Sequence, residues 1–441
     1  VVNAYVLTFG GFLLLGGRMA DLLGRRRVFM GGLLLVAVAS LAAGFASNEG
    51  QLIAARAAQG LGAAIISPAA LSIVTTTFSD GAERNKALGV WGAVAGSGGA
   101  AGVLLGGVLT EGLGWEWVLW VNVPVSLIAF ALSPGLIAES RAEHETRAFD
   151  VAGAVTVTAG LTALVYAIVD ANSAGWGSTR TIGLIAVSLV LLAAFVAIEL
   201  RSAKPLVPFS IFRIRTLTGA NVVGLLVGGS LFSMFFFISL YMQQVLGYSP
   251  IHAGLSYLPL ALVIMGSAAF ASQLVTRFGY KPILAVGLLL IFIGLVWFSR
   301  VSVGGGFTTD ILGPSLLAAA GLGFSFVTTT IAAVSGVQET EAGLASGLIN
   351  TSQQVGGALG LAVLSSVATS RTENLLSGGA SQASALTDGF QAAFLGGAVI
   401  AALGFVLTLV LIRSSDSRAH VELGREEARR GAEEVTEAAS A

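Results

Sequence analysis

The chain has 441 residues, of which 55% are hydrophobic and 11% charged, with a mean hydropathy of +0.86 and a formal net charge of −1. A water-soluble globule cannot bury that much hydrocarbon behind so few charges, so the composition excludes one and implies a polytopic membrane protein. The absence of cysteine excludes disulfides, thiolate metal sites and thiol catalysis.

A hydrocarbon core of roughly 30 Å is crossed by about 20 residues of helix. Thirteen charge-poor runs of that kind follow one another, near 1–19, 28–47, 52–78, 86–109, 117–138, 151–170, 181–199, 217–246, 252–275, 282–299, 309–334, 343–367 and 390–412. The expected fold is all-α, a polytopic bundle of membrane helices. The first two runs are joined by "GGRMADLLGRRRVF", Gly16 to Phe29, which sets Asp21 among Arg18, Arg25, Arg26 and Arg27. Gly24 permits a tight turn by tolerating positive φ, and Asp21 with nearby arginines, or with basic groups of a neighbouring bundle, can form a breakable latch. A partly exposed pair of that kind is worth about 1 kcal/mol or less. The plain alternative is that the arginines only set orientation, and Arg27 is assigned that role.

The third run holds Arg56, followed by Gln59, Gly60 and Gly62. A charge inside a span is costly unless paired or wet, which makes Arg56 a functional candidate; otherwise, about five residues in, it snorkels to the outer interface. In the fourth run, Gly92, Gly96, Gly98, Gly99, Gly102, Gly106 and Gly107 suit close helix packing, and the spacing of four puts Gly98, Gly102 and Gly106 near one face. That face reads as a bendable hinge. Polar connections at 139–150 and 201–215 flank the sixth and seventh runs. Later runs carry Asn221, Thr328, Thr329, Thr330, Asn350, Gln353 and Gln354, which either face a cavity or bond neighbouring helices. Phe235, Phe236 and Phe237 either line an aromatic cavity or face lipid and core. His144, His252 and His420 fall in loops or at run edges and are assigned no proton-carrying role. The tail from Ser414 is a mixed-charge run, expected as a solvated, frayed helix.

Basic residues mark the cytoplasmic loops of short-looped membrane proteins. Here one set of alternate loops, with the tail, carries nineteen Lys and Arg; the other carries only Arg180, Arg300 and Arg371. The first set, including the C-terminus, is expected in the cytoplasm. Thirteen spans would then put Val1 outside, and the expectation is a fourteen-helix protein whose first span precedes Val1; a thirteen-span protein is the alternative.

A repeat is visible. Aligning Gly24 with Gly279 puts Gly17 on Ser272, Asp21 on Thr276 and Arg26 on Lys281. "RNKALGVWGAVAG" from Arg84 likewise matches "EAGLASGLINTSQQVGG" from Glu341. With the preceding helix counted, the offset is eight, which fits two six-helix halves separated by a two-helix insert. The expected domains are an N-terminal bundle at 1–138, a linker and insert at 139–200, a C-terminal bundle at 201–413 and a charged tail at 414–441.

Gly17, Asp21, Gly24, Arg25 and Arg26 match the G-x-x-x-D-x-x-G-[RK]-[RK] signature of the major facilitator superfamily. Arg56, Gln59, Gly60 and Gly62 resemble its R-x-x-q-G-x-g signature, and "GGAAGVLLGG", Gly98 to Gly107, resembles the antiporter signature, with Val103 in the proline position. "WEWVLWVNVPVSL", where Glu116 replaces an arginine, and "YMQQVLGYSPIHAGLSYLP" are similar to the fourteen-span drug:proton antiporters of that superfamily. The resemblance implies the major facilitator fold and export driven by a proton gradient without a cofactor. It also implies gating by Gly17, Asp21, Gly24, Arg25 and Arg26, and an acid for proton coupling in the helix ahead of Val1.

No G-x-x-x-x-G-K-[ST], H-E-x-x-H or G-x-S-x-G occurs, so neither ATP hydrolysis nor membrane hydrolysis is indicated and the chain does not read as an enzyme. The leading expectation is export of hydrophobic, often cationic small molecules from the plasma membrane by a monomer that binds no nucleic acid. A metabolite or nutrient carrier of the same fold and a non-transporting receptor or remnant are the alternatives.

Overall fold

The computed structural model describes residues 2–79, 81–140, 150–202, 205–419 and 421–422. Each apolar run lies on a helix. These are α1 Val2–Leu23, α2 Arg25–Gly44, α3 Glu49–Thr77 and α4 Ala82–Gly112; α5 Glu116–Leu136, with a turn at Val121; α6 Val151–Ala174 and α7 Thr179–Glu199; α8 Arg215–Val245 and α9 Ile251–Phe278; α10 Tyr280–Phe298; α11 Phe307–Val334; and α12 Ala342–Ser377 and α13 Gln382–Leu411. Runs and helices coincide because a backbone in hydrocarbon has to satisfy its own N–H and C=O groups. Among the described residues, eleven helices are long and apolar enough to cross a bilayer. The other two, α4 and α12, are rich in glycine or in amide and hydroxyl side chains.

Helix ends depart from the hydropathy reading where polarity changes before the backbone does. α1 does not stop near residue 19; it continues through Asp21 to Leu23 and ends at Gly24, whose φ is 105°. A β-carbon is strained at that angle, so the break falls on the glycine and Asp21 belongs to the last helical turn rather than to a loop. α12 likewise runs on to Ser377, and α13 begins at Gln382, where the Ser381 hydroxyl accepts the Ser384 N–H at 3.3 Å. The expectations for 141–149, for the tail from 423 and for His144 and His420 lie outside the described residues.

The helices gather into two compact units that do not follow chain order. One comprises Val1–Ile73, Val103–Ile214 and Val337–Ser366; the other comprises Val74–Gly102, Arg215–Gly336 and Val367–Ala441. Each unit thus takes in a helical segment from the opposite half of the chain. In the first, α1 packs on α2 and α6, α5 on α2, and α6 on α7. In the second, α11 is the most buried span and packs on α8, α9 and α10, while α13 packs on α8 and α10. Small side chains at Ala318, Ala319 and Ser325 of α11 are wholly buried, consistent with backbones drawn close together in lipid.

Candidate functional site

Asp21 and Arg25 are both buried, at 0% and 3% exposure. Asp21 Oδ1 accepts from Arg25 Nη2 at 3.1 Å and from the Gly343 backbone N–H at 3.0 Å, and Oδ2 accepts from the Leu344 N–H at 3.0 Å. Gly343 and Leu344 stand in the first turn of α12, where backbone N–H groups have no acceptor within the helix and the macrodipole is positive. The carboxylate at the end of α1 therefore closes the start of a helix that lies 322 residues further along the chain. The four-residue step from Gly17 to Asp21 puts both on one face of α1. A methyl group on Gly17 would stand 2.3 Å from the Gly343 carbonyl oxygen, so glycine at this position is what lets the two helices meet.

Two expectations are corrected here. The latch is not a partly exposed ion pair but a buried carboxylate whose main partners are backbone N–H groups. Arg26 is not a partner of Asp21: its Nη1 donates to the Ile137 carbonyl at 3.1 Å, its backbone N–H donates to Glu139 Oε1 at 3.2 Å, and its guanidinium lies 3.7 Å from Glu139. Arg25 alone points inward, with Nε donating to Ser72 at 2.7 Å and its backbone N–H donating to the Ser140 carbonyl at 2.9 Å. Successive residues at the start of α2 are turned by about 100°, which separates Arg25 from Arg26. Arg27 is largely exposed, 3.5 Å from Glu139.

The repeat copy keeps this scaffold without the charge. Gly279 again has positive φ, at 81°; the Lys281 backbone N–H donates to Ser417 at 3.2 Å and its Nζ to the Leu409 carbonyl at 2.8 Å. Thr276, at the position of Asp21, accepts from the Asn85 side chain in the first turn of α4 at 3.0 Å. A neutral hydrogen bond stands where the first copy has a charged cap.

Arg56 is half-buried and engaged by neighbouring side chains. Its guanidinium lies 4.6 Å from the centre of the Tyr5 ring, and Nη1 donates to Gln59 Oε1 at 2.8 Å. Gln59 in turn donates to Ser40 at 2.6 Å, and a methyl group on Gly60 would stand 2.3 Å from the Tyr5 carbonyl oxygen. The half-buried charge thus ties α3 to α1 and α2 through an aromatic face and a buried amide.

The remaining candidates divide. Asn350 accepts from Ser67 at 3.1 Å and donates to the Ser346 carbonyl at 2.8 Å, joining α12 to α3. Asn221 is buried and donates to the Leu217 carbonyl of its own helix. Among the described residues, Gln353 is buried with Nε2 unbonded, as are the Thr328 and Thr329 hydroxyls, whereas Thr330 donates to the Phe326 carbonyl and Gln354 is half-buried. Phe237 packs in the core against Phe390 and Phe394, Phe235 stacks on Tyr257, and Phe236 is exposed. His252 stacks on Tyr248. The glycine face of α4 does not make the expected close packing. Among the described residues, a methyl group on Gly98, Gly99, Gly102 or Gly106 meets nothing within 4 Å, and Gly107 is half-buried. Small residues on one face allow a close neighbour but do not supply one; Gly92, against Val327, is where α4 is closely packed. The surroundings of Gly96 and Val103 lie outside the description.

Sequence reasoning did not find Glu139, Ser72, Ser140, Tyr5 or Ser40. Glu139 had a signal, as an acid on the same side as the arginine loop; the backbone donors of α12 had none, because every residue except proline carries one.

The described residues thus form a polytopic bundle of membrane-type helices in which a buried carboxylate joins helices from opposite halves of the chain, with a neutral copy of that joint at the repeat position. The Major Facilitator Superfamily model matches residues 1–361, and the chain belongs to that superfamily of membrane transporters. It is 41% identical over 414 residues to the cephamycin export protein of Amycolatopsis lactamdurans, covering 93% of this chain and 84% of that protein. It is 39% identical over 392 residues to the puromycin resistance protein of Streptomyces alboniger, covering 88% and 78%. It is 35% identical over 373 residues to the tetracenomycin C resistance and export protein of Streptomyces glaucescens, covering 84% and 69%. Among solved structures, the human organic anion transporter MFSD10 matches with a TM-score of 0.64 at 18% identity, over 92% of this chain and 82% of that one, a likeness of fold.

Proposed function

We propose that the chain exports hydrophobic small molecules of the antibiotic kind, many of them cationic, across the plasma membrane in exchange for protons. The fold supports alternating access, and the observation that carries this reading is the buried Asp21 cap on α12. It joins helices from both halves of the chain through contacts that all break together if α1 and α12 part. Export is supported by the relatives named for resistance and export. The domain plan of 1–138, 139–200, 201–413 and 414–441 belongs to the same proposal, with the arginine-rich loops and the C-terminus in the cytoplasm and a monomer as the working form. Arg56, Gln59 and Gly60 would set the charge environment of the path. Asn350, Gln353 and Gln354 would face it, and Gly98, Gly102, Gly106 and Gly107 would flex. No cofactor is required.

The test is accumulation of a hydrophobic cationic dye in inverted vesicles holding the protein. Uptake should stop when the pH gradient is collapsed at constant membrane potential; undiminished uptake would exclude proton antiport. Asp21→Asn should slow turnover while leaving dye binding in place, and unchanged turnover would remove the latch.

A further inference from the structure

The first turns of α4 divide their polar side chains between two faces. Arg84 is buried, with Nε donating to the Phe78 carbonyl at 3.1 Å, and Asn85 donates to Thr276. Glu83 and Lys86 stand on the opposite face, both exposed. Glu83 accepts from Ser79 at 3.3 Å, and among the described residues Lys86 has neither hydrogen bond nor ion pair. On the same face, at helical spacing, follow Val90, Trp91 and Val94, and the end of α3 adds Phe78 to enclose a groove of about 540 Å³. Val90 and Val94 are 58% and 64% exposed. The groove is therefore polar at one end and hydrocarbon along the rest, a length of about 16 Å from Glu83 to Val94 at the rise of an α-helix.

We propose that this groove binds a phospholipid whose head group carries a phosphate and a primary ammonium, with Lys86 on the phosphate, Glu83 on the ammonium and an acyl chain along Val90, Trp91 and Val94. Charge complementarity selects that occupant. Among the residues lining the groove, one cation and one anion sit three residues apart on one face, so a singly anionic head would meet the Glu83 carboxylate as well as Lys86. A quaternary ammonium head offers Glu83 attraction but no N–H, whereas a primary ammonium can also donate hydrogen bonds. Trp91, just beyond the charged turn, suits the boundary between head groups and hydrocarbon. The proposal rests only on the membrane-spanning fold, so its failure would leave the export reading untouched.

The experiment is lipid retention by the purified full chain. The protein is delipidated in detergent, offered an equal mixture of phosphatidylethanolamine, phosphatidylcholine and phosphatidylglycerol, and its bound lipids are counted by native mass spectrometry. Phosphatidylethanolamine should be retained about threefold to fivefold over the other two, the scale of one exposed charge pair. Glu83→Gln should bring phosphatidylethanolamine and phosphatidylcholine to parity, and Lys86→Gln should lower both. Equal retention of phosphatidylglycerol and phosphatidylethanolamine in the wild type would overturn the proposal, as would a preference that survives both substitutions. Displacement by free phosphoethanolamine at equal concentration would also overturn it, since the hydrocarbon would then play no part. Both side chains are exposed, so elution profile and thermal midpoint should match the wild type and separate lost binding from lost fold.

Discussion

Asp21 and Arg25 are four residues apart and so share a helix face in most settings, but here a turn glycine lies between them. Their pairing depends on α2 starting immediately after Gly24. Because both are buried, removing one strands the other, and breaking a buried pair in this way costs about 3–5 kcal/mol. Arg25→Ala should therefore lower the thermal midpoint of the purified protein far more than Arg27→Ala, which removes an arginine with 73% of its side chain exposed and costs about 1 kcal/mol or less. Equal effects of the two substitutions would mean that the arginine loop acts as a diffuse patch of charge. At this scale the residue types were legible and the partners were not. The spacing of Gly17, Asp21 and Gly24 stands out in the sequence, but the donors that hold Asp21 are amides of Gly343 and Leu344, which carry no side-chain signature.

Elements were read more fully, because a hydrocarbon environment imposes one secondary structure on any apolar run of sufficient length. The misreadings are at the ends and on the faces. Hydropathy ended α1 too early because Asp21 is polar, although its carboxylate is satisfied within the protein. The glycines of α4 promised a packed face where the structure leaves space. That difference is testable with two matched substitutions. Gly17→Ala puts a methyl group 2.3 Å from the Gly343 carbonyl oxygen, so it should push α1 from α12, lower the thermal midpoint and reduce dye transport. Gly98→Ala, with nothing within 4 Å, should leave the midpoint unchanged or raise it, since alanine favours helix over glycine by about 1 kcal/mol. If Gly98→Ala destabilised as much as Gly17→Ala, the open face of α4 would have to close on a neighbour in the resting protein. Gly24→Ala should destabilise by more than about 1 kcal/mol, because its φ of 105° is one a β-carbon resists.

For the whole molecule, orientation is the first thing to establish, and the absence of cysteine makes it simple to measure. Arg201→Cys and Arg300→Cys place single thiols at exposed positions in alternate loops. In intact cells an impermeant maleimide should label the thiol at 300 and spare the one at 201; the reverse pattern would invert the topology drawn from the basic loops. The membership of the two compact units bears on how such a chain is made. A ribosome delivers residues 1–73 and 103–214 well before 337–366, yet all three segments belong to one unit. Until the late segment emerges, the Asp21 carboxylate has no α12 amides to accept from. Fragments ending at 214 should accordingly be cleared quickly by membrane proteases and be rescued by co-expression of 215–441. The contact that ties α1 to α12 would thus also serve as a checkpoint in biogenesis, marking the moment at which synthesis of the second half has supplied what the first half lacks.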